Sequence, residues 1–66
     1  MNREELRAEI ARKNVSKAQI ARELGISTSG LWLKMTGERE FKETEIKALV
    51  RVLDLTPADV DRIFLQ

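Results

Sequence analysis

Apolar residues recur along this chain at intervals of three and four, the spacing of one helix face. Leu6 and Ile10 stand one turn apart, with Val15 just beyond, and predict a first helix from about Arg3 to Lys13. Glu4 and Glu5 near its start, and Arg12 and Lys13 near its end, suit the helix dipole. Ile20, Ala21 and Leu24 mark a second helix. It begins at Ser16, which has the capping-box spacing to Gln19, and stops at Gly25, where a left-handed residue can close it. Ser27 is a natural cap for a third helix running to about Met35, with Gly37 closing it. Ile46, Leu49, Val50 and Leu53 give the cleanest stripe, on a fourth helix from about Lys42 to Leu53. A fifth starts firmly: Thr56 caps it, Pro57 occupies the first turn and Asp59 follows, ahead of Val60, Ile63 and Phe64. β-Branched residues never alternate over a useful length. The pattern predicts one all-α domain of five short helices over residues 1–66.

Helices two and three are joined by only a few residues around Gly25. Such a glycine turn between steeply angled helices is the helix-turn-helix unit, although any small helical bundle can contain one. Small Ala21 falls where the two helices approach most closely, and Ile26 and Leu31 close the apolar wedge beneath the turn.

Charge sharpens the picture. The net is only +1. Residues 1–37 carry seven basic and four acidic groups, an excess of +3, whereas residues 38–66 carry five basic and seven acidic ones. The positive excess therefore sits in the half that holds the helix–glycine–helix unit.

The stretches "SKAQIARELGIS", "GLWLKMTGEREF" and "EIKALVRVLDLTPADV" resemble the phage-repressor and Cro-like, or Xre-type, helix-turn-helix family. The likeness covers about Leu6 to Phe64, and the chain looks like the short single-domain members found in phages and prophages. It implies the compact five-helix, lambda-repressor-like DNA-binding fold. The third helix would read the major groove and the second would lie across the backbone. It also implies a dimer on a two-fold operator, with half-sites about one helical turn, ~34 Å, apart.

Helical spacing then gives the reading face. With Leu31 and Met35 inward, Ser29 and Leu33 point outward, Thr28 sits at the N-terminal edge, and Trp32 and Lys34 flank. Ser29 can bond base edges, Thr28 a phosphate or a base, and Leu33 with the rim of Trp32 can pack on thymine methyl groups. The N-terminus of helix two, at Ser16, offers backbone N–H groups to phosphate, and Lys17 stands there; Ser27 and Gly30 are also DNA-binding candidates. Lys34 and Arg39 are the expected second phosphate clamp. Many family members have glutamine at the place of Lys17; lysine neutralises a phosphate but accepts no hydrogen bond, so a bridged readout is not expected. Arginine or glutamine is often found near the places of Thr28, Gly30 and Leu33, and this chain has neither there. Gly30 costs ~1 kcal/mol inside a helix and should have a reason, either close approach to DNA or relief of a clash with helix two. Arg22 is free to clamp DNA or to pair with a glutamate one turn away. Ile63, Phe64 and Leu65 either cover the core or form a weak homodimer interface.

Other classes fare worse. With no histidine, cysteine or tyrosine, and acids expected on solvated faces, neither catalytic residues, a metal site nor a cofactor is expected, and no small-molecule substrate. No apolar run approaches a membrane span and no signal-peptide pattern opens the chain, so a cytoplasmic place in a bacterial host is expected. Sixty-six residues leave no expected room for an effector domain, so repression would be steric. The rival is a protein-interaction module of the same fold, antirepressor- or antitoxin-like, to which an exposed Trp32 would also be suited.

Overall fold

The computed structural model describes residues 1–66 and contains five helices and no strand. They are α1 (Arg3–Lys13), α2 (Lys17–Leu24), α3 (Thr28–Thr36), α4 (Glu43–Val52) and α5 (Pro57–Phe64). All five expected helices form, within a residue or two of the expected ends. The core is continuous. Leu6, Ile10, Ile20, Ala21, Leu31, Met35, Phe41, Leu49, Leu53, Leu55 and Ile63 form one buried cluster. α2 packs on α3 and α4, and α1 packs on α3 and α5.

Local chemistry sets the boundaries. Ser16 Oγ accepts from Gln19 N–H at 3.1 Å and Ser27 Oγ from Gly30 N–H at 3.0 Å. Only the serine half of the expected Ser16–Gln19 box forms. At α5 both halves form: Thr56 Oγ1 accepts from Asp59 N–H, and Asp59 Oδ2 accepts from Thr56 N–H. Gly25 (φ +73) and Gly37 (φ +94) are left-handed, as expected of helix stops. Two non-glycine residues do the same work: Asn14 (φ 57) after α1 and Asp54 (φ 50) after α4. Asn2 caps α1 by accepting from Glu5 N–H, and its own N–H reaches Ile63 O at 2.6 Å.

The start of α4 is better defined than its sequence suggests. Lysine has no acceptor with which to cap. Instead Glu45, one turn in, reaches back, and its Oε1 accepts from Lys42 N–H at 2.8 Å.

The acids are not confined to wet faces. Glu9 and Glu45 are buried, and Glu5, Glu9 and Asp59 converge on Arg62. Arg62 Nη2 lies 2.8 Å from Asp59 Oδ1 and 3.2 Å from Glu9 Oε1, its Nη1 pairs with Glu5, and Arg12 also bonds Glu9. This cluster ties α5 to α1.

Asp59 is held at a pKa of about 2, first by Thr56 N–H and then by Arg62. For Glu45, burial alone would raise the pKa; the Lys34 bond, the Lys42 N–H and the charges of both lysines outweigh it and leave it lowered. Both carboxylates therefore favour the fold while ionised. That contribution is complete above their ordinary values of 3.8 and 4.5, and it is lost as pH falls through the lowered ones. The urea midpoint should be flat from pH 7 to about 5 and fall steadily toward pH 2. A midpoint unchanged at pH 2.5 would remove this linkage.

Ile63 is fully buried, so the expectation that it forms a dimer surface is corrected. It lies one turn from Val60 on the inward stripe, and the Asn2 N–H closes over its carbonyl. Phe64 is half-buried and Leu65 is 71% exposed.

Candidate nucleic-acid interface

Gly25 turns the chain between α2 and α3 while Ala21 and Leu31 sit in the core beneath. The outer face of α3 then carries Thr28, Ser29, Trp32 and Thr36 exposed, with Leu33 half-buried beside them. Trp32 is 57% exposed and does not fold back into the core. Lys17, the first residue of α2, holds its ammonium 5.5 Å from the centre of the indole ring. Such a cation–π contact is worth ~0.5–1 kcal/mol at an exposed site. It joins the start of α2 to the outer face of α3.

Both helix starts have unspent donors. The N–H groups of Lys17 and Ala18 on α2, and of Thr28 and Ser29 on α3, make no bond within the fold. The oxygens of Ser16 and Ser27 already accept from their caps, but each hydroxyl can still donate outward. These ends attract anions through aligned peptide dipoles.

Lys34 requires a correction. It is 7% exposed, and its ammonium bonds both oxygens of Glu45 at 2.5 and 2.6 Å. It is spent inside the protein and is no phosphate clamp. The reason is helical spacing: a residue three after Leu31 and next to Met35 lies on the inward stripe. Lys34 O also accepts from Arg3 Nε at 3.1 Å, which anchors the end of α3 to α1.

Two other cations stand near the start of α3. Ser27, Gly30, Arg39 and Lys42 line a shallow depression beside the start of α3. Arg39 and Lys42 are exposed and form no ion pair. Glu40 and Glu45 also border the depression, but Glu40 faces Arg3 at 3.5 Å and Glu45 is held by Lys34, which lines it too. A positive surplus therefore flanks α3 on this side, as Lys17 does on the other. Sequence reasoning singled out Arg39 as a phosphate contact and did not consider Lys42 for one. The signal was there, since an uncapped basic helix start is an odd choice unless its charge faces outward. Arg22 is exposed and forms no ion pair with a neighbouring glutamate.

Gly30 has a local reason. A β-carbon there would stand 3.2 Å from Ser27 Oγ and 3.9 Å from Ile26 Cβ. Its nearest obstacles belong to the α3 cap and the turn, so relief of a clash with α2 is not the explanation.

Residues 3–63 match the family described as "Helix-turn-helix domain". The chain belongs to the helix-turn-helix domain family. No curated protein and no solved structure matches it. Family membership and the five-helix architecture together make this a helix-turn-helix DNA-binding fold. No helix is long and apolar enough to cross a membrane.

Proposed function

We propose that this helix-turn-helix domain is a sequence-specific transcriptional regulator, a Cro-like phage or prophage repressor that occupies a two-fold operator in the bacterial cytoplasm. The observation that carries this reading is the exposed outer face of α3 standing between unpaired cations, Lys17 on one side and Arg39 with Lys42 on the other. The cations and free helix-start N–H groups supply phosphate contacts, which position the domain without reading sequence. Thr28, Ser29, Trp32 and Leu33 supply the groove contacts, with Gly30 letting the backbone come close.

Two substitutions separate these roles. Leu33→Ala should relax preference at one or two base pairs by ~1–3 kcal/mol each. Lys17→Ala should weaken binding to all duplexes alike and flatten the salt slope by about one unit. A gel shift on the DNA flanking its own gene, at two salt concentrations, provides the measurement. Equal losses on every sequence for both variants would remove Leu33 from base reading. Binding that ignores salt would count against the phosphate contacts altogether.

Phe64 and the exposed Leu65 are the candidate two-fold contact, now without Ile63. A patch this small gives weak association that DNA strengthens by holding two copies side by side. Sedimentation at micromolar protein should show monomer alone and two copies on a symmetric duplex. One copy on such a duplex would sink the two-fold arrangement.

Trp32 is also the residue that favours the second reading, an antirepressor- or antitoxin-like module acting on a protein partner. Under that reading, no duplex shifts at low salt.

A further inference from the structure

A cleft of about 280 Å³ opens between the C-terminal half of α1, the α1–α2 turn and Met35 of α3. Half-buried Val15, with the edges of the otherwise buried Ile10 and Met35, gives it an apolar lining, and Asn14 borders it. Arg7 and Lys17 stand at its edge. Neither forms an ion pair, and no carboxylate lines the cleft. Two uncompensated cations beside an apolar wall complement one kind of small molecule, an anion with a hydrocarbon tail.

We propose that this cleft binds a small amphipathic carboxylate, its tail against Ile10, Val15 and Met35 and its charge met by Arg7 and Lys17. The volume lies just below the ~300–1,000 Å³ typical of ligand pockets, which suits a tail of about six carbons and excludes a nucleotide-sized cofactor. Lys17 is shared. The same ammonium lies over Trp32 and, on the DNA-binding reading on which this consequence rests, clamps a phosphate. A carboxylate that takes Lys17 competes with DNA, and by linkage DNA weakens the carboxylate by the same factor.

The probe is sodium hexanoate, with hexanol and acetate as controls at matched ionic strength. Trp32 is the only tryptophan and the chain has no tyrosine, so the emission comes from the ring beneath the Lys17 ammonium. Hexanoate should bind saturably with Kd on the order of 1 mM and shift the methyl NMR signals of Ile10 and Val15. Hexanol and acetate should each bind at least about tenfold more weakly, as should hexanoate to Arg7→Gln or Lys17→Gln, read by NMR. Equal binding of acetate would leave only general anion attraction, equal binding of hexanol would leave only an apolar patch, and either overturns the proposal. So does a failure of hexanoate to saturate. In a second arm, saturating hexanoate should weaken duplex binding more than acetate does. A domain that takes hexanoate but binds no duplex keeps the cleft and loses the DNA-binding function instead.

Discussion

Lys34→Met should destabilise the domain by ~3–5 kcal/mol, the usual cost of leaving one member of a buried ion pair alone. Glu45 is 5% exposed and its charge is compensated by the Lys34 ammonium at 2.5 Å. Remove the ammonium and the buried carboxylate must either stay charged with only the Lys42 N–H and its more distant ammonium to meet it, or take up a proton. A domain of this size has a total stability of only ~3–10 kcal/mol, so a large share would disappear. Replacing both partners tests the cause. Lys34→Met with Glu45→Met removes the charge problem and leaves only the lost acceptor for Lys42 N–H, so the pair should lie far closer to the parent than Lys34→Met alone. Urea unfolding of the two singles and the double closes the cycle. A double variant as unstable as the sum of its singles would show that the pair is not a coupled unit.

Leu31→Ala should cost ~2–5 kcal/mol of stability, whereas Leu33→Ala, two residues away on the same helix, should cost under ~1 kcal/mol. Leu31 is 1% exposed and sits in the continuous core with Ile20, Ala21 and Met35. Emptying its site removes packing that α1 and α2 cannot both move to fill. Leu33 is half-buried at the outer face, and its truncation leaves no closed cavity. Thermal unfolding and duplex binding should therefore rank the two variants in opposite order of selectivity: Leu31→Ala loses the fold, and Leu33→Ala keeps it and loses discrimination. Similar stability for both would mean that α3 is not held by its inward stripe.

The helices were legible because each is written twice, once in its apolar period and once in its cap. Ser16, Gly25, Ser27, Gly37, Thr56 and Pro57 all mark boundaries where expected. The outer face of α3 was legible for the same reason, since fixing Leu31 and Met35 inward dictates what lies opposite. What escaped was charge placement. A lysine reads as solvent-facing, because only a partner can make its burial tolerable, and the partner of Lys34 lies eleven residues away on another helix. The same blindness hid Glu9, whose partners include Arg62 near the other end of the chain. The α4 start was hidden in the same way, since Lys42 offers no capping acceptor and the cap comes from Glu45 one turn on.

The bond from Asn2 N–H to Ile63 O fastens the start of the first helix to the end of the last. Small helical domains commonly lose their tails early and separately, in steps far below the global opening energy. Here neither tail can peel away without releasing the other. The molecule behaves as a closed ring, and amide exchange at Asn2 should keep pace with exchange in the final turn of α5.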